Sequence, residues 1–122
     1  MDTTTKGSAR LVRSQEKTLN EWAKEVHELA KEKGWWDSDR DFGGLIALVH
    51  TELSESHEAW RHNLPIYYTE EGKPEGWGIE LVDALIRILD ILAYNGVDID
   101  DYMTIKNSYN KTRSYRHGGL RA

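Results

Sequence analysis

"GIELVDALIRILDILAYNG", residues 78–96, decides the fold. Leu81, Val82, Ala84, Leu85, Ile86, Ile88, Leu89, Ile91, Leu92 and Ala93 cover most of the circumference of a helix. A helix apolar nearly all round belongs in the middle of a packed assembly. Its polar residues, Glu80, Asp83, Arg87 and Asp90, fall at i, i+3, i+7 and i+10, within one narrow stripe. A buried, unpaired carboxylate costs several kcal/mol, roughly. Two of them one turn apart call for a cation. Arg87 is one candidate, spaced for an i,i+4 salt bridge with Asp83 and able to satisfy Asp90 as well. A metal ion is the other.

The neighbouring segments read as further helices. "TLNEWAKEVHELAKEKG", residues 18–34, starts on a capping-box pair, Thr18 and Glu21, and stops at Gly34. "FGGLIALVHTELSESHEAWRHN", residues 42–63, is ended by Pro65. "VDIDDYMTIKNSYNKTRSYR", residues 97–116, has Asp98 or Asp100 as its N-cap. "WWDSDRD" connects the first two helices, and residues 64–77, "LPIYYTEEGKPEGW", read as a loop with Pro and Gly punctuation. No strand-like alternation, repeat or low-complexity stretch occurs. Four helices with one longer connection predict an all-α, four-helix bundle-like fold. The predicted organisation is a flexible tail over 1–14, one helical domain over 15–117 and a flexible tail over 118–122.

Composition narrows the function classes. Asp plus Glu is 21 against 16 Lys plus Arg, a formal net charge of -5. That argues against binding a nucleic-acid polymer, which needs a basic face. The 122 residues contain no cysteine, so thiolate metal sites, disulfides and a cysteine nucleophile are excluded. The stretch "MDTTTKGSARLVRS" has no apolar run of signal-peptide length. No segment reaches the run of about 18 apolar residues that spans a membrane. The expectation is a soluble, cytoplasmic protein.

On the second helix, 100° per residue places Leu45, Leu48, Val49, Leu53, Ala59 and Trp60 in one arc. Glu52 and Glu55 then flank that arc, and Glu58 points to solvent. Alone, this is a solvated acidic face. With Glu80 and Asp83 on an antiparallel neighbour, four carboxylates come together, more than one arginine neutralises. Hard oxygen ligands suit Mg²⁺, with Mn²⁺ as the substitute. His50 and His57 lie on the far side, and His27 and His62 have no partner at ligand spacing, so the histidines read as surface or loosely packed. The Glu-x-x-His pairs of a di-iron bundle are missing.

These residues resemble the MazG-like, all-α nucleoside triphosphate pyrophosphohydrolase superfamily. Its pattern is EExxE, a variable gap, then ExxD. Here "TELSE" ends at Glu55 and "ELVD" begins at Glu80. The resemblance makes Glu52, Glu55, Glu80 and Asp83 the metal ligands, with Glu52 or Glu55 orienting the attacking water. Thr51 stands where the family has its first Glu, which leaves the number of metal ions open. The resemblance extends into the fourth helix. There Lys106, Asn110 and Arg113 lie at i, i+4 and i+7 on one face, a point charge, an amide and a fork for phosphate and sugar. It implies Mg²⁺-dependent cleavage of a nucleoside triphosphate between the α and β phosphates, in a homodimer or homotetramer. Tyr109, Trp35 and Trp36 are candidates to stack on the base, with Trp22, Trp60 and Trp77 behind them. The alternative is a non-catalytic helical protein that binds a nucleotide or a protein partner.

Overall fold

Thr18 and Glu21 form the capping box that their spacing predicts, each side chain bonded to the other's backbone N–H, and open helix α1, Leu19–Glu32. Asp41 caps α2, Phe42–Arg61, by accepting from the Gly44 amide. Asp98 caps α4, Ile99–Thr112, in the same way from Asp101 N–H. Between them lies α3, Trp77–Tyr94. The computed structural model describes residues 15–116. The tails expected over 1–14 and 118–122, and residue 117 at the predicted domain end, lie outside the described residues.

Three helices end in the same motif. After α1, α2 and α3 the residues Gly34, Asn63 and Gly96 turn left-handed, with φ of 88°, 59° and 68°. The next amide then reaches back to the third-last carbonyl: Trp35 to Ala30, Leu64 to Ala59, Val97 to Leu92. These are Schellman closures. Helix α2 therefore ends at Arg61 and is closed by Asn63, and Pro65 lies beyond it.

Residues 64–77 are more ordered than expected. Strands β1 (Tyr68–Glu70) and β2 (Lys73–Glu75) pair antiparallel, with Thr69 opposite Pro74. The two-residue turn is Glu71–Gly72, both at positive φ (53° and 80°), as a twisted hairpin requires. Glu-Gly is a weak form of the usual Asn-Gly signal, and Pro74 reads as loop punctuation. It is tolerated because a two-stranded ribbon has only edges.

Helix α3 is the centre, packed against α2 on one side and α1 on the other. Leu45 and Val49 of α2 meet Ala84 and Ile91 of α3, with Trp36 against them. Ala23 of α1 meets Leu89 and Ile99 in a second cluster. The all-α expectation holds for everything but the hairpin. Two packing expectations do not. The fourth helix rests mainly on α1, so the four helices do not close into a bundle within one chain. Helix α3 is not buried all round either: Leu81, Leu85 and Ile88, on one stripe, are 44, 46 and 40 % exposed. No helix among the described residues is long and apolar enough to cross a membrane.

Candidate metal centre

The buried stripe of α2 is Leu45, Val49, Glu52 and Ser56, at i, i+4, i+7 and i+11. Glu52 is thus in the middle of the packed face rather than on its edge, only 9 % exposed. Leu53 and Trp60, expected in the apolar arc, are exposed instead. Ser56 donates its hydroxyl to the Trp77 carbonyl at 2.8 Å and fixes α2 against the first turn of α3. That alignment brings Glu52 beside Glu80 and Asp83. Glu52, Glu80 and Asp83 each offer a carboxylate oxygen within 4.8 Å of the other two.

The electrostatics of this group are strained. Glu80 is pushed up from an ordinary 4.5 to about 7, first by burial, then by Asp83, Glu55 and Glu52, and by a hydrogen bond with Glu55 that favours its neutral form. Asp83 is raised by burial and Glu52, against a partial pull down from Arg87. Glu55 itself is exposed and stands at the rim. All four expected carboxylates therefore act on one another, three as a tight group and Glu55 from outside.

The donor set fits a small hard cation. Oxygens around Mg²⁺ at about 2.1 Å lie roughly 3–4 Å apart. Small side-chain movements from 4.8 Å reach that spacing. Glu52, Glu80 and Asp83 would be the ligands, with Glu55 at the rim of the group.

Against the group opens a cleft of about 400 Å³. Val26, Leu29, Ala30 and Ile86 give it an apolar floor. Trp35 and Arg40 wall it, and Glu52, Asp83, Arg87 and Asp90 line its charged end. Trp35 is 52 % exposed at the mouth of the cleft, with Arg40 and Arg87 each 5.7 Å from its ring centre.

Trp36 is not free to stack on a base. It stacks on Tyr94 at 4.2 Å and 7°, and its indole N–H donates to Asp90 at 3.0 and 3.1 Å. A ring so engaged is a packing element. Asp90 also accepts from His27 Nδ1 at 2.6 Å, so Arg87 is not its partner and His27 is not a loose surface histidine. Arg87 turns instead to Glu52, Nε to Oε1, 3.4 Å. The α4 set is elsewhere too. Lys106 and Arg113 flank the Tyr109 ring at 5.4 and 5.9 Å, and neither they, Tyr109 nor Asn110 line the cleft. The cause is the seating of α4 on the N-terminal end of α1, at Leu19 and Asn20, whereas the cleft is lined by the opposite half of that helix, Val26, Leu29 and Ala30. Thr51 bonds its hydroxyl to the Ala47 carbonyl of its own helix. Glu58 is exposed, as expected, and it pairs with Arg61 at 3.1 Å.

His27, Arg40, Arg87 and Asp90 are the site-side residues that sequence reasoning missed or misassigned. Asp90 carried a signal, the fourth place in the α3 polar stripe. His27 had none, because its partner lies 63 residues away. The chain matches no family model, no curated protein and no solved structure.

Proposed function

We propose that the protein is a Mg²⁺-dependent pyrophosphohydrolase of nucleoside triphosphates, of the MazG-like all-α kind, acting in the cytoplasm as a homodimer or homotetramer. The observation that carries the reading is the convergence of Glu52, Glu80 and Asp83 from two helices, one of them buried and another driven to a pKa of about 7 by burial and by its carboxylate neighbours. Carboxylates crowded in this way stabilise a cation more than they stabilise the fold. The ExxE and ExxD spacing and the apolar cleft with Trp35 at its mouth support it.

Bound there, Mg²⁺ would supply charge neutralisation on the triphosphate and on the bridging oxygen that leaves. Glu52, Glu80 and Asp83 would hold it. Glu55, solvent-exposed and beside Glu80, would orient the water and take its proton. The water oxygen attacks the α phosphorus, the α–β bridge breaks, and nucleoside monophosphate and pyrophosphate leave. Trp35 offers its face to the base. The exposed apolar stripe of α3, with Tyr102, Ile105 and Tyr109 on α4, supports a second copy. One observation favours the binding-protein alternative: Lys106, Asn110 and Arg113 lie away from the carboxylates in a single chain.

The test is incubation with a panel of NTPs and dNTPs, with and without Mg²⁺, reading pyrophosphate and monophosphate. Pyrophosphate release that needs Mg²⁺ and falls at least about 100-fold in Glu55→Gln and Asp83→Asn is expected. Orthophosphate as product, or no turnover from folded protein, overturns the reading.

A further inference from the structure

Arg87 stands one turn beyond Asp83 on α3 and reaches across to α2. Its Nε lies 3.4 Å from Glu52 Oε1, long for a charge-assisted hydrogen bond, which closes to about 2.7–2.9 Å. The same guanidinium is 5.7 Å from the centre of the Trp35 ring. The side chain is 30 % exposed and lines the cleft. Arg87 is therefore shared between two partners and held tightly by neither. It is also the only cation paired with the three-carboxylate group among the described residues.

We propose that Arg87 is a displaceable counter-ion. It covers Glu52 while no divalent cation is bound, and turns onto Trp35 to hold a substrate phosphate when one is. The inference rests on the metal-dependent reading above. A cation between Glu52, Glu80 and Asp83 takes as a ligand the carboxylate that Arg87 now pairs with, and its charge repels the guanidinium. The released group already has a resting place, the Trp35 face at the cleft mouth, where a guanidinium gains from the ring's π electrons. Arg40 approaches that ring at the same 5.7 Å. Planar forks beside the metal group suit phosphate oxygens. Arg87 thus does within one chain part of what the α4 residues cannot reach.

The experiment measures Mn²⁺ binding by calorimetry, without nucleotide, to the full chain and to Arg87→Gln and Arg87→Lys, each verified as folded by its helical circular dichroism and melting curve. KM for the magnesium-nucleotide complex is measured alongside. Arg87→Gln is expected to bind Mn²⁺ about three- to tenfold more tightly, the scale of one partly buried ion pair removed from competition. Its KM is expected to rise about tenfold, the scale of a lost charged contact to phosphate. Arg87→Lys keeps a competing charge without the fork, so its Mn²⁺ affinity stays near wild type while KM rises. A folded Arg87→Gln that binds Mn²⁺ no better than wild type overturns the proposal. Wild-type protein that binds no Mn²⁺ overturns the metal reading, and the proposal with it. If Mn²⁺ binds but no nucleotide is hydrolysed, only the enzyme reading fails. Tighter Mn²⁺ binding by Arg87→Gln, with weaker nucleotide binding in place of KM, then still supports the counter-ion.

Discussion

Glu80 is held near a pKa of about 7 by burial and by three other carboxylates. A carboxyl whose folded pKa lies above its unfolded value binds its proton more tightly when folded. Its contribution to stability is full below the ordinary 4.5 and is lost as pH rises to about 7. Asp83, also raised, acts in the same sense. Glu21, lowered by its capping bonds to Thr18, and Asp98, lowered by the Asn20 amide and then by its cap bond from Asp101, act in the opposite sense at more acid pH. Metal-free protein is thus expected to lose stability between pH 5 and 7, by about 1–2 kcal/mol once solvent screening at a half-buried site is allowed for. Saturating Mg²⁺ should flatten that slope, since the cation takes the proton's place, and Glu80→Gln should flatten it without metal. Denaturant midpoints across the pH range check this. A slope that survives in Glu80→Gln would place the strain on another residue.

At the scale of elements, the site depends on how α3 begins. Gly76 caps it at φ 120°, where a Cβ would stand 2.3 Å from the Ile66 carbonyl oxygen and 2.8 Å from that of Pro65. No side chain fits without moving the 64–77 connection off the helix. The first turn of α3 carries Glu80, and Ser56 ties α2 to the Trp77 carbonyl in the same turn. Gly76→Ala is therefore expected to cost at least about 2 kcal/mol, and to weaken Mn²⁺ binding with it. Gly72→Ala is the control. Its φ is 80° but nothing lies within 4 Å, so it should cost about 1 kcal/mol and leave Mn²⁺ affinity unchanged. Equal Mn²⁺ affinities in wild type and Gly76→Ala would separate the hairpin from the site. These contacts also mark where the sequence could be read. The cap at Thr18, the choice of Asp98 or Asp100 and the stop at Gly34 are local chemistry within four residues, and they are legible in the sequence. The carboxylate spacing was legible for the same reason, since it lies within single helices. The clash at Gly76 and the His27–Asp90–Trp36 cluster depend on segments far apart in the chain, and no periodicity announces them. The apolar arc of α2 misled because helical angle says which side chains share a face, not which face finds a neighbour.

For the whole molecule, the unmet expectation is the most informative. A nearly all-apolar α3 was expected to be buried, yet one of its stripes is exposed, because α4 rests on α1 and leaves that side open. The basic set on α4 is equally unplaced, away from the cleft of its own chain. Both are resolved if a second copy covers α3 and brings Lys106, Asn110 and Arg113 to the first copy's carboxylates. A two-fold pair would do this reciprocally, each chain completing the other's site. Light scattering should then give at least twice the 14.1 kDa chain mass, and Leu85→Asp on the exposed stripe should lower it toward one chain. The sharper measurement mixes two inactive variants. Glu55→Gln spoils the carboxylate side of a site and Arg113→Ala the phosphate side. If the two sides come from different chains, a mixed dimer contains one site with both sides intact and one with both spoiled. Random exchange of subunits then restores about a quarter of wild-type activity. If both sides come from the same chain, every site in every mixture carries one lesion, and mixing restores nothing.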